Sequence, residues 1–270
     1  MRPSIERAGA GAGAALLRAD EPAPVRRLNP RGRSDFLLTG DHAGRRIPRA
    51  LGDLGLAASE RRRHIAWDIG IAGLTRRLAA RLDAVAVLQR YSRLVIDCNR
   101  PPGAASAFPE VSETTEVPGN AGLAEAEKER RRAAIFVPYH AAIAAEIARR
   151  RAMGRRCVYV AMHSFTPIFK GVARGMQCAV LYHRRPRLSH ALATLLRAEG
   201  GLVVGENEPY RVSDESDYGV PAHAEKGGLD YLEIEIRQDL IATAAGEEAW
   251  AERLGRLMPA ALERIGEDRE

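Results

Sequence analysis

From residue 35 onward, short β-branched runs alternate with longer stretches of helical periodicity, and this alternation constrains the chain more than any other feature. Candidate strands cover residues 36–39, 84–89, 93–97, 158–162, 179–182, 202–204 and 231–237. Helical patterns cover 59–82, with Ser59 placed to cap its start, 123–150, bent or broken at Pro138, 187–199 and 247–265. Strands separated by whole helices pair in parallel, while the close pair at 84–89 and 93–97 reads as a hairpin. The expected fold is therefore α/β, with a mixed, largely parallel sheet sandwiched between helices. No internal repeat or linker interrupts residues 35–270, which read as one domain.

The chain has 270 residues, 46% of them apolar, enough for a large core, but with 5% aromatics that core must be built from Ala, Leu, Ile and Val. Ahead of it, residues 1–34 carry a small-residue run and read as a disordered or poorly packed arm; Glu6 and the short apolar stretch argue against a signal peptide. No window approaches the ~20 apolar residues of a membrane span, so no membrane partner and a cytoplasmic location are expected. The net charge of +6 raises nucleic acid as a partner, yet only Lys128, Lys170 and Lys226 among the 41 basic residues are Lys. The arginine runs at 61–63, 130–132 and 149–151 lie in helical stretches without interleaved aromatics, so they read as solvated faces and no nucleic-acid partner is expected. Cys98, Cys157 and Cys178 lack C-x-x-C spacing and sit in apolar runs, which predicts buried free thiols.

Two long polar loops, 99–122 and 205–228, follow strands. Loops of this length in a compact domain are uncommon unless they serve a site. In open α/β sheets that site lies beyond the carboxyl ends of the strands. The polar residues there are His42, then Asp97, Asn99 and Arg100, then His163 and Ser164, then Asn207, and finally Glu235 and Arg237 in "YLEIEIRQD". Two histidines and several carboxylates at one sheet edge suit a divalent metal. Hydrolytic zinc takes three such ligands, keeps a position open and brings the pKa of its water toward ~7, while a nearby carboxylate takes the proton. Neither H-E-x-x-H nor G-x-S-x-G is present, and Ser164 beside His163 is the one serine at a sheet edge next to a base, so a serine mechanism ranks below a metal one.

The segments "GDHAGRRIP", "YSRLVIDCNRP", "MHSFTP", "GENEPY" and "HAEKGGLDYLEIEIRQDLI", in this order over roughly residues 35 to 265, resemble the N-formylglutamate amidohydrolase family. The resemblance implies a zinc carboxypeptidase-like fold, one Zn2+ or another divalent ion, and a small N-acyl amino acid as substrate, most directly the N-formyl-L-glutamate of histidine degradation. It implies His42 and His163 as metal ligands, Glu235 in "EIRQD" as general base, and Arg100 as the grip on a substrate carboxylate with Asn99 beside it. Tyr210 and His223 are implied as substrate contacts, and Arg93 and Arg237 complete the substrate-binding set. In carboxypeptidases a carboxylate ligand follows the first histidine by three residues, but that position here is Arg45; Asp68 in "HIAWDIG", which matches an acidic residue of the family, is assigned instead.

Each assignment has a structural alternative: Asp68 as a charge at a helix start, Arg100 paired with Asp97, and Arg93 and Arg237 paired with the strand glutamates. Glu233 and Glu235 share one strand face, with Leu232, Ile234 and Ile236 on the other. Other functions weighed are a zinc peptidase or desuccinylase-like hydrolase on a longer substrate, and a non-catalytic binding protein retaining the fold. The sequence carries no signal for an oligomeric state.

Overall fold

The computed structural model describes residues 15–267. Its strands in chain order are β1 (Val25–Leu28), β2 (Phe36–Gly40), β3 (Val85–Gln89), β4 (Val111–Ser112), β5 (Thr115–Glu116), β6 (Val158–Phe165), β7 (Ile168–Phe169), β8 (Val172–Ala173), β9 (Cys178–Leu181), β10 (Val204–Glu206) and β11 (Asp230–Arg237). Seven form one sheet in the order β1-β3-β2-β6-β11-β9-β10, while β4-β5 and β7-β8 are separate small hairpins. The central run β3-β2-β6-β11 is parallel; β1 joins β3 and β9 joins β11 antiparallel, and β10 is parallel to β9. The sheet is thus mixed and largely parallel, and every residue of β2, β3, β6 and β9 is buried, as strands covered on both faces require.

Alternation along each strand divides the core in two. Phe36 and Leu38 of β2, with Leu232, Ile234 and Ile236 of β11, pack under α1 (Ile71–Leu82), α4 (Arg187–Ala198) and α5 (Ala244–Glu267). Leu37, Tyr159, Ala161 and Tyr231 point to the opposite face, beneath the 94–108 loop, the helical run α2 (Glu125–Arg131) to α3 (Val137–Ala152), and the turn at Val220–Glu225. Glu233 and Glu235 alternate with the apolar residues of β11, so they emerge on this second face, where the site forms.

Several expectations are corrected. The 93–97 segment is not a strand and makes no hairpin: Leu94, Val95 and Ile96 are buried in an irregular turn. Its backbone is satisfied outside any ladder: the Leu94 amide donates to Ser92 Oγ, the Arg93 and Asp97 amides donate to the carbonyls of Ala66 and Ala107, and the Asn120 and Arg131 side chains donate to the carbonyls of Leu94 and Val95. The helix expected from Ser59 begins only at Ile71, after a separate 3₁₀ turn at Glu60–Arg62. Gly70 ends the intervening turn at φ +82°, and a Cβ there would stand 2.1 Å from the Ile241 carbonyl oxygen. The break leaves Asp68 outside the helix, its amide held by the His42 carbonyl at 2.9 Å. The 123–150 run is not broken at Pro138: α2 passes into α3 through a π turn at Arg132–Phe136, and this distortion just before the proline accommodates its missing N–H within the helical run. Of the arm expected over residues 1–34, residues 1–14 lie outside the described residues. The remainder is not disordered but anchored at a few points, most of it half-buried or exposed: β1 pairs with β3, Leu16 is buried, and the Tyr91 hydroxyl donates to the Pro22 carbonyl. Cys98, Cys157 and Cys178 are free and buried. No helix among the described residues is long and apolar enough to cross a membrane.

Candidate active site

A cavity of about 700 Å³ opens at the carboxyl ends of β2, β6 and β11, and both long loops contribute to its walls. His42 reaches it from just beyond β2, His163 from the end of β6, and Glu235 from β11, directly beside His163 in the parallel ladder. Asp68 enters from the turn before α1. His42, Asp68 and His163 are all buried and bring one donor atom each within 4.8 Å of the others. Asp68 Oδ2 is the shared corner, 3.1 Å from His163 Nδ1 and 3.6 Å from His42 Nδ1. Ligands about 2.0–2.2 Å from a tetrahedral ion lie about 3.3–3.6 Å from one another, so these separations are close to those of a zinc ligand set.

An outer contact fixes which nitrogen of His42 faces inward. Asp97 Oδ1 lies 2.7 Å from His42 Nε2, so Nδ1 is the nitrogen turned toward Asp68, and it has no hydrogen-bond partner. His163 Nε2 and Asp41 Oδ2, 3.7 Å apart, are likewise without hydrogen bonds, while the Tyr139 hydroxyl donates to the other Asp41 oxygen. Burial and Arg93 oppose a proton on His42, but the Asp97 and Asp68 carboxylates outweigh them and raise its pKa. Burial would raise the Asp97 carboxyl; Arg93 and His42 overcome it and hold the group well below the usual carboxylate range.

Glu235 has the opposite environment. It is 6% exposed, its Oε2 has no partner, and burial, only partly offset by His163, pushes its carboxyl up to about 7. Glu233, also lining the cavity with an unpartnered Oε2, is pushed by burial up to about 8. A buried carboxylate without a donor is costly unless a ligand or a proton meets it.

Arg100 stands at the cavity wall with Nη1 donating to the Ser216 carbonyl and Nε 4.0 Å from Asp97, so the expected pairing with Asp97 is at most long. Arg93 pairs with Asp97 (Nη2 2.7 Å) and approaches Asp68 (3.6 Å) rather than the strand glutamates. Asn99 borders the cavity, but its side chain bridges the two loops, donating to Asp217 and accepting from the amides of Tyr218 and Gly219. Tyr210 lines the cavity, 43% exposed, with its hydroxyl 3.1 Å from Arg174. Two expected substrate contacts lie elsewhere. His223 is absent from the cavity walls and stacks on His140, with 2.9 Å between His223 Nε2 and His140 Nδ1, because its π turn faces α3. Arg237, at the end of β11, pairs with Asp239 and reaches the Arg174 and Met176 carbonyls, bracing β11 to the segment before β9. Asp97, Asp41 and Glu233 were not assigned to the site from the sequence. Asp97 and Asp41 could have been found by their places beside the strand-end groups, and Glu233 by its shared face with Glu235.

An α/β enzyme working at the carboxyl edge of its sheet is the class that this fold and cavity define. The chain belongs to the N-formylglutamate amidohydrolase family, whose model matches residues 34–242. The structure is similar to that of a gene product of Agrobacterium tumefaciens, 40% identical, with a TM-score of 0.90 over 93% of this chain and 99% of that one. It also shares its fold with N-formylglutamate amidohydrolase from Ralstonia eutropha JMP134, 21% identical, with a TM-score of 0.65 over 91% of this chain and 100% of that one. Among curated proteins no sequence match was found.

Proposed function

We propose that the protein hydrolyses the amide of a small N-acyl amino acid with the help of one divalent metal ion, and that N-formyl-L-glutamate, giving formate and L-glutamate, is the reference substrate. The observation that carries the reading is the convergence of the buried His42 and His163 imidazoles on one Asp68 carboxylate oxygen, next to a buried glutamate whose Oε2 has no partner. His42, Asp68 and His163 would hold the ion, with zinc matching their donor chemistry. When bound, such an ion supplies Lewis acidity and lowers the pKa of a water toward ~7.

The protein's own groups divide the remaining work. Asp97 keeps the His42 proton on Nε2 and so leaves Nδ1 a lone pair. Glu235, with a carboxyl poised near neutrality, accepts a proton from the attacking water and returns it to the leaving nitrogen. Arg100, anchored on the Ser216 carbonyl, holds a substrate carboxylate at the wall. Metal analysis with assays of zinc-reconstituted protein against N-formyl, N-acetyl and N-succinyl amino acids and short peptides tests this. Hydrolysis of an N-acyl amino acid with near-stoichiometric metal is expected, and failure on every one of them would overturn it. Preference for a free peptide C-terminus would favour the peptidase reading, for which the size of the cavity speaks.

A further inference from the structure

The cavity is far larger than the reference substrate. N-formylglutamate has about a dozen non-hydrogen atoms, which at roughly 20 Å³ each would occupy about a third of the 700 Å³ available. The remaining space has a different chemistry from the polar floor. Its lining there includes Phe108, Val111, Phe165, Phe169 and Tyr210, with Ser112, Glu113 and Arg211 among them. Val111 is 57% exposed, and Val172, 68% exposed, lies opposite Phe169 across the β7-β8 hairpin and therefore on the same face. Val111, Phe169 and Tyr210 are the members of this group that both line the cavity and remain accessible, so they are the surface that an apolar substituent of a ligand would meet.

These walls are held in place. The β4-β5 hairpin is tied down by Arg63, which pairs with Glu113 and Glu60 and reaches Thr115. On the other side the Arg174 guanidinium sits over the Phe165, Phe169 and Tyr210 rings at 5.7, 4.7 and 5.1 Å, fixing three aromatic groups around one cation. The two hairpins meet at their tips, where the Lys170 amide donates to Glu113 Oε1 at 2.9 Å. The result is an arch beside the cavity that offers it Val111, Phe169 and Tyr210 between polar groups, above the polar floor.

We infer that the arch formed by β4-β5 and β7-β8 is a subsite for an aromatic or branched apolar group carried by the substrate, so that the preferred amide is a bulky N-acyl amino acid and not N-formylglutamate itself. The inference rests on the proposed amidohydrolase reading for the identity of the cleaved bond. The apolar group can belong to the acyl side or to the amino acid, and the two sources are separable by experiment.

The zinc-reconstituted protein is assayed on N-formyl-L-glutamate, N-formyl-L-phenylalanine and N-benzoyl-L-glutamate, and the same three are titrated calorimetrically into the Glu235→Gln variant. At least one aromatic compound should exceed N-formyl-L-glutamate by tenfold or more in kcat/KM and in affinity, with a negative heat-capacity change on binding. The better of the two tells which side of the amide enters the arch. Phe169→Ala, in an exposed hairpin, should cut that preference at least fivefold. Equal or better turnover and binding of N-formyl-L-glutamate would overturn the inference while leaving the hydrolase reading intact. Preferential binding of an aromatic compound with no hydrolysis of any of the three would overturn the hydrolase reading and leave the subsite standing.

Discussion

Replacing Asp97 by Asn keeps the shape of the side chain and removes its charge at the position that orients His42. Asp97 Oδ1 lies 2.7 Å from His42 Nε2 and accepts from the Asn99 amide at 2.9 Å, while Oδ2 accepts from Arg93 Nε at 3.1 Å and Nη2 at 2.7 Å. All these groups are arranged around an acceptor on both sides, so the new amide nitrogen meets a donor wherever it points. Turned toward Arg93, it opposes N–H to N–H in a buried site, at a cost of about 1–3 kcal/mol. Turned toward His42, it donates to Nε2 and forces the imidazole proton onto Nδ1, the nitrogen aimed at Asp68. Either arrangement weakens the metal site, and loss of such an outer contact costs about 10–100-fold in metal affinity, roughly 1.4–2.7 kcal/mol. The assay is competition for zinc with a chromophoric chelator at neutral pH, with metal-free thermal unfolding as the control for folding. A zinc Kd raised 10–100-fold is expected. A Kd within about twofold of the parent would refute the orienting role and with it the assignment of His42 Nδ1 as a ligand.

Glu235→Gln should lower kcat by about 10²–10⁴ while zinc affinity in the chelator assay stays near the parent value, which separates proton transfer from metal binding. Burial, with His223 beside it, lowers the His140 pKa to about 3, and burial lowers that of His223 to about 4, against 6.5 for the ordinary imidazole. Because the unfolded chain binds these protons first, the stability from the neutral pair is complete above pH 6.5 and is lost as the pH falls toward 4. Urea unfolding should therefore show His140→Asn losing about 1–2 kcal/mol less than the parent between pH 7 and pH 5; an equal loss would discount the pair. Glu146 is fully buried against Arg150, whose guanidinium also holds the carbonyls of Ser34, Asp35 and Phe36. Glu146→Gln leaves that buried cation uncompensated and should cost about 3–5 kcal/mol in the same unfolding measurement.

The sheet's parallel centre was legible because its strands are short, β-branched and separated by helices, a pattern set by burial on both faces. The parts that escaped depend on tertiary partners. The 93–97 run has the apolar character of a strand, but its long-range hydrogen bonds go to Ala66, Ala107, Asn120 and Arg131, residues that only the folded chain brings near. β1 is too short and too charged to announce itself, and it exists because β3 offers an edge. At the site, strand ends pointed to His42, His163 and Glu235, and the family resemblance brought in Asp68; all four meet in one cavity. The roles of Asn99, His223 and Arg237 were not readable, since a polar residue beside a cavity and one bracing its loops have the same local sequence. Asp97 was visible as a strand-end carboxylate, but its bond to His42 spans 55 residues of chain and follows only from the fold.

The most direct test of the account is the position of a metal ion in a zinc-loaded crystal, read from anomalous scattering. The account predicts one strong peak within about 2.0–2.2 Å of His42 Nδ1, Asp68 Oδ2 and His163 Nδ1, with Glu235 facing the remaining coordination position. A peak elsewhere, such as the His183, Asp214 and Glu225 group, with none among those three atoms, would contradict it.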